Sequence, residues 1–430
     1  MGLDSKRWLI LLAGILANVC QGAAYASSVF AKPMLSHLGL TVMKNGLPAP
    51  DMTKWALAFS INLTCLPIGM LLSGRIADRR GPRIVIAVGG LLFALGVFLA
   101  GYSNSLAWFC ATFGVMMGLG SGAAYGSIVA ASVKWFPDMR GLAAGLSVGA
   151  LGIGTSIIAL TAPSLMGMAS NPDTAVLFAL KVLGIAFLVI ISLASIVIVS
   201  PPAGYKPAGF SPATSAAGAS SHQDIAWAQM LARGRFWLLY LIYACGAFSG
   251  LMIISQASPI AQTMTKDIMS LGDPKLIAAA GASVAFMLGV ANALGRVIWG
   301  FISDKIGRTA SLAAMFLITG VAMFLLPSMV LAKTSFLVSS LFIGVCYGGY
   351  LGVFPSICAD EFGPKNLTVN YGLLFSAFSV AAIAGPQVGG QIFKASGSYN
   401  QAFVIAGAVC IAGLLLTILS GATQKKAKAA

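Results

Sequence analysis

Gly74-Arg75-Ile76-Ala77-Asp78-Arg79-Arg80-Gly81-Pro82-Arg83 and Gly300-Phe301-Ile302-Ser303-Asp304-Lys305-Ile306-Gly307-Arg308 are two copies of one pattern. Each reads G-x-x-x-D-[RK]-x-G and then reaches a basic residue. Gly74 and Gly300 suit a close helix approach. Asp78 and Asp304 suit a helix cap or a basic partner across a helix interface. Gly81 and Gly307 suit a tight turn. Each copy closes a long apolar run, so the surroundings of the first are expected to recur around the second.

Working outward, the chain contains twelve apolar runs of the roughly 20 residues that a membrane helix needs. They cover 8–30, 54–74, 84–102, 106–131, 142–166, 174–199, 236–258, 277–301, 310–331, 335–358, 367–391 and 400–420. Their periods are helical or continuous, which excludes the alternating segments of a membrane β-barrel. Apolar residues make up 58% of the 430 and charged residues 9%, too few charges to cover a soluble protein. The expected fold class is therefore all-α integral membrane, with lipid as the solvent for most of the chain. The pattern copies follow the second and eighth runs, dividing the chain six plus six. Residues 8–199 and 236–420 are the expected bundles. The stretch 200–235, opening Ser200-Pro201-Pro202 and continuing in Ala, Gly and Ser, is the expected linker. Its last part, Asp224 to Arg235, reads as an interfacial helix. All seven cysteines fall in apolar runs without a CxxC, so they read as packing residues.

The formal net charge of +15 would suggest nucleic acid in a soluble chain. Here it follows membrane topology, and no nucleic-acid partner is expected. With both termini inside, the inner segments hold 17 of the 26 Lys and Arg residues and the outer ones hold 7, Lys181 and Arg296 lying within spans. That bias favours cytoplasmic termini. Lys181 is near enough to its span end to snorkel.

Arg296 is different. It lies deep in the eighth run, where a charge costs roughly 3 kcal/mol on insertion scales. Asn292, one turn earlier, shares its face. Every acid, from Asp4 to Glu361, lies in a loop or at a run end, so none is placed to neutralise Arg296 at mid-membrane. Its fork of donors matches a carboxylate. Arg296, with Asn292 assisting, is thus the candidate ligand for a small anion. A structural or gating Arg is the alternative. Tyr25, Tyr125 and Tyr347 each sit among small residues that permit close packing, and each could donate into a cavity. Packing or an interface belt is the alternative for each.

The duplicated loop resembles the signature of the major facilitator superfamily, and the resemblance runs along essentially the whole chain. It implies two pseudo-symmetric six-helix bundles around a substrate cavity that opens alternately to each face. It casts Gly74, Asp78, Arg79, Gly81 and Arg83, with Gly300, Asp304, Lys305, Gly307 and Arg308, as the gating and structural motif. Tyr25 to Pro33, Lys134 to Gly141, Asn292 to Arg308, Tyr347 to Ser356 and Asn370-Tyr371-Gly372 resemble the oxalate–formate antiporter and monocarboxylate transporter branch. That resemblance implies that Arg296 binds a substrate carboxylate and that Tyr25, Tyr125 and Tyr347 line the site. It also implies that Phe375 takes the place of an aromatic residue of the oxalate carrier, and Phe378 the place of that carrier's second cation. One cation suits one carboxylate, so a lactate- or pyruvate-like acid is favoured over oxalate. The animal carriers' Asp before the Arg and Lys in the first span are here Asn292 and, approximately, Val29.

No carboxylate or histidine is placed at mid-membrane to carry a proton; His37 and His222 fall outside the spans. Proton coupling would have to run through the substrate and Arg296, with exchange or uniport as alternatives. A dicarboxylate/monocarboxylate exchanger, and more remotely a drug-efflux antiporter, are the other readings. Gly385-Pro386 resembles an antiporter bend but reads equally as a kink. No nucleotide loop or catalytic grouping appears, so neither an enzyme nor a cofactor is expected. The expected form is a multi-pass monomer of a bacterial inner membrane.

Overall fold

The computed structural model describes residues 3–26, 28–44, 47–202, 204–207 and 224–429. His222 and most of the expected linker lie outside them. The chain is helical almost throughout. In order, the helices are α1 (Leu3–Gln21), α2 (Ala23–Ala26), α3 (Ser28–His37), α4 (Met52–Arg80), α5 (Pro82–Ala100), α6 (Leu106–Phe109), α7 (Met117–Trp135), α8 (Arg140–Gly167) and α9 (Ala175–Val197). There follow α10 (Trp227–Leu231), α11 (Gly234–Met264), α12 (Lys266–Met269), α13 (Pro274–Ile306), α14 (Arg308–Met329), α15 (Lys333–Phe362), α16 (Leu367–Ser396) and α17 (Asn400–Ala429).

Eleven helical stretches among the described residues are long and apolar enough to cross a membrane. The first of the twelve expected runs is covered by α1, α2 and α3, with a turn at Gly22. At that turn the chain lies close against α8. A side chain there would strike the backbone of Leu151, Gly154 and Thr155 in α8, so the two chains meet at backbone contact. The Gly22 carbonyl accepts from Ala26 N at 3.1 Å and also from Thr155 Oγ1 at 3.2 Å, so this backbone acceptor finds internal partners, as lipid requires. A second departure from an all-α chain is an antiparallel strand pair, β1 (Thr41–Lys44) with β2 (Leu47–Pro50), in the register Thr41 opposite Pro50. Within 224–235, the stretch expected as an interfacial helix, Trp227–Leu231 form the short α10; its Met230 is buried and its Trp227 exposed.

Between α6 and α7, Cys110–Met116 form a π-helical stretch. Thr112 Oγ1 donates to Trp108 O at 2.8 Å there, bonding a carbonyl of the preceding turn.

The residues group into two compact units. The first comprises Met1–Pro137, Ala150–Ala208 and Lys365–Leu373, and the second Asp138–Gly149, Gly209–Pro364 and Leu374–Ala430. In the first, α5 packs on α7 and α9, α4 on α7, and α1 on α9 and α7. Gly118 and Gly122 of α7 meet the backbone of Asn62 and Leu66 in α4, while Gly120 meets Phe93 in α5. In the second, α13 packs along α15, α14 on α17 and α15, and α11 on α17, α13 and α15. Its core includes Met252, Ile253, Leu288, Met323, Phe336, Ile343 and Phe403. Exposed apolar residues such as Leu72, Val88, Leu160 and Leu415 are the outward faces, as lipid requires.

Candidate substrate site and charged loops

Helix α13 presents Asn292 and Arg296 one turn apart. Arg296 is only 4% exposed. Its Nη1 donates to Val148 O of α8 at 2.7 Å, and its Nε reaches Asn292 Oδ1 at 3.4 Å, a long contact. The sequence reading left this side chain without an acid to neutralise it, and the partners it has here are both neutral. A carbonyl supplies a hydrogen bond but no counter-charge. Among the described residues Arg296 forms no ion pair, and Nη2 has no acceptor yet keeps accessible surface.

Glycines bring the neighbours this close. A side chain on Gly145 of α8 or Gly352 of α15 would strike the Arg296 backbone carbonyl, and one on Gly348 would strike that of Asn292. The helix carrying the charge is therefore held between two others at backbone distance, which fixes the guanidinium root.

Tyr347, 3% exposed, precedes Gly348 on α15, and its ring lies against Gly250 of α11. On α16, Phe375 and Phe378 stack with centroids 5.0 Å apart. Phe375 meets Tyr243 edge-on at 6.3 Å, and Tyr243 stacks on Phe354 at 4.0 Å. Tyr243 and Phe354 were not singled out from the sequence. Neither was Val148, whose role is played by a carbonyl that every residue has. Tyr125 is buried on α7 and Tyr25 lies on α2, both in the first unit.

The two motif loops are built alike. Asp78 pairs with Lys134 Nζ at 2.9 Å and accepts from Thr368 Oγ1 at 2.9 Å, Thr368 N at 3.3 Å and Val369 N at 3.2 Å, at the start of α16. Asp304 accepts from Gly141 N and Leu142 N, each at 2.8 Å, at the start of α8. Each carboxylate thus caps a helix N-terminus with its free amides and positive dipole end. Gly74 lies against Val369 and Gly300 against Gly141, with no room for a side chain. Gly81 and Gly307 adopt φ of 89° and 90°, a left-handed conformation that L-residues rarely take.

The cations differ. Arg308 donates to Asp304 Oδ1 at 2.8 Å, Ser303 Oγ at 2.6 Å and Asp360 Oδ2 at 2.8 Å, while Arg140 takes Asp360 Oδ1 at 2.6 Å. Lys305 lies over the Phe301 ring at 4.4 Å. In the first loop Arg79 and Arg83 are exposed.

The family model described as Major Facilitator Superfamily matches residues 11–290 and 270–430. The chain is 28% identical to the oxalate:formate antiporter of Oxalobacter formigenes over 94% of its own length and 89% of that protein's. It is 27% identical to monocarboxylate transporter 13 of Rattus norvegicus, covering 84% and 78% respectively. Its fold matches a crystal structure of the transporter FucP in the outward conformation, with a TM-score of 0.70 at 14% identity over 96% of this chain and 99% of that one.

Proposed function

Because the chain belongs to the Major Facilitator Superfamily and is therefore a multi-pass membrane transporter, we propose that it carries a small organic monocarboxylate, lactate- or pyruvate-like, by alternating access. One observation carries this reading: a buried arginine whose nearest partner is a neutral carbonyl. A substrate carboxylate supplies the missing charge. It engages the free Nη2 and competes for Nη1, forming charge-assisted hydrogen bonds that a carbonyl matches only in part. Asn292 orients the guanidinium and offers an amide N–H. Tyr25, Tyr125 and Tyr347 donate to remaining substrate oxygens, and Phe375 and Phe378 face its short apolar part. With Phe378 uncharged, a second carboxylate has no counter-ion. The names of the relatives, a monocarboxylate transporter and an oxalate:formate antiporter, support the substrate class.

In this reading residues 8–199 and 236–420 are the two bundles and 200–235 the linker. Gly74, Asp78, Arg79, Gly81 and Arg83, with Gly300, Asp304, Lys305, Gly307 and Arg308, form the gate. Both termini face the cytoplasm of a bacterial inner membrane, and the protein works as a monomer. Proton coupling passes through the substrate–Arg296 pair, because no described acid pairs with Arg296.

A second reading, oxalate–formate type exchange, draws on the 28% identical relative. A thermal-shift screen of purified protein against mono- and dicarboxylates, repeated with Arg296→Gln, separates the two. Stabilisation by lactate or pyruvate, lost in the variant, supports the proposal. Stabilisation by oxalate alone moves the assignment to the exchanger, and an unchanged response in Arg296→Gln removes Arg296 from the site. Lactate-driven alkalinisation outside proteoliposomes tests symport; demonstrated uptake without it excludes coupling to protons.

A further inference from the structure

Arg75, Arg79, Arg80 and Arg83 are four cations within nine residues, all exposed. None makes an ion pair or hydrogen bond among the described residues. The local acid cannot serve them, since Asp78 is bound to Lys134, Thr368 and Val369. The equivalent loop in the second unit treats its arginine oppositely: Arg308 is 20% exposed and engages both Asp304 and Asp360. One pattern therefore serves two ends. The second copy spends its guanidinium inside the protein, and the first presents its guanidinium groups outward.

What they face follows from the residues beside them. Along α4, Ile68, Leu72 and Ile76 recur every four residues, at 42%, 70% and 46% exposure, and Arg80 is the next position on that stripe. On α5, Ile84, Val88 and Leu91 are exposed in the same way, and Arg83 stands one residue before them. Two lipid-facing stripes thus converge on an arginine-bearing loop at their common end. A soluble partner would not need the stripes; a phospholipid meets both parts, with acyl chains on the apolar faces and phosphate among the guanidiniums. The first turn of α5 holds no acid and has no side-chain cap, so its free amides add to the attraction.

We propose that this loop is a binding site for an anionic phospholipid headgroup in the leaflet on its own side of the membrane. Arginine forks fit phosphate oxygens bidentately.

Native mass spectrometry of the detergent-solubilised full chain, titrated with phosphatidylglycerol or phosphatidylcholine, tests it. Phosphatidylglycerol should be retained in preference, and added salt should weaken it. Replacing Arg75, Arg79, Arg80 and Arg83 by Gln should weaken retention by about fivefold per cation removed. Lys266→Gln with Lys333→Gln and Lys394→Gln, exposed cations elsewhere, should leave it unchanged. Soluble glycerol phosphate in millimolar excess should not displace the lipid. Equal retention of the two lipids by the wild-type protein, no salt dependence, or displacement by glycerol phosphate overturns the proposal. These readings use the wild-type chain and stand even where the fourfold variant fails to assemble.

Discussion

Gly145 and Gly149 lie one turn apart on α8 and both face α13, yet alanine should act oppositely at the two. At Gly145 an added Cβ would fall inside the Arg296 backbone carbonyl and 3.1 Å from Val297 Cα. Those atoms belong to a helix backbone and cannot rotate away, so α8 must shift. Overpacking of this kind costs about 1–3 kcal/mol. Alanine recovers up to roughly 1 kcal/mol over glycine in a helix. The obstruction is backbone, which puts the cost in the upper part of its range, so a net loss of about 1–2 kcal/mol is expected. At Gly149 the nearest atom is Val297 Cγ2 at 3.2 Å, a side-chain methyl that can give, and the next is Ala293 O at 3.4 Å. There the helix gain is little opposed, and Gly149→Ala should be neutral or stabilising by up to roughly 1 kcal/mol. Reversible unfolding of the two purified variants in one detergent, by tryptophan fluorescence against denaturant, measures the difference. Equal midpoints, or a more stable Gly145→Ala, would refute the claim that α8 and α13 touch at backbone distance beside Arg296.

Other expectations follow from the same geometry. Asp360→Asn leaves Arg140 and Arg308 without their shared counter-charge; because Asp360 is 31% exposed the loss is discounted to about 1–3 kcal/mol, read by thermal unfolding. Thr155→Val removes one of two donors to the Gly22 carbonyl, which keeps Ala26 N, and should cost only about 0.5 kcal/mol in the same assay. Phe378→Lys adds a second cation to the proposed site and should shift thermal stabilisation from monocarboxylates toward dicarboxylates; stabilisation by the same ligands as before counts against a place for Phe378 beside the substrate.

The duplicated loop and the apolar runs carried the architecture because lipid leaves few alternatives: a run of twenty apolar residues must be a helix, and repetition fixes the kind of bundle. The turn at Gly22 in the first run has no mark in the sequence because the composition there is unbroken. Gly22 reads like any small residue, and its close approach to α8 exists only once the chain is folded. Arg296 was conspicuous, since a lone charge in an apolar run has few explanations. Its bond to Val148 was not, because a carbonyl has no signature in sequence. The contrast between Arg308 and the first-loop arginines was equally hidden: Asp360, which claims Arg308, lies on another helix, more than fifty residues away.

The π-helical stretch at Cys110–Met116 has a bearing on how this chain tolerates insertions and deletions. Such a stretch is a single turn closed by wider hydrogen-bonded rings, and it absorbs one residue beyond what a regular helix of that height needs. Deleting one residue within it would let α6 and α7 fuse into an ordinary helix, leaving Gly118, Gly120, Gly122 and Tyr125 on the faces they now occupy. The same deletion a few residues later, within α7, would turn everything beyond it by about 100°. Glycines that now meet α4 and α5 would then face elsewhere, and side chains would occupy gaps only a hydrogen fits. The bulge is thus the place where the length of this helix can change without changing its facing.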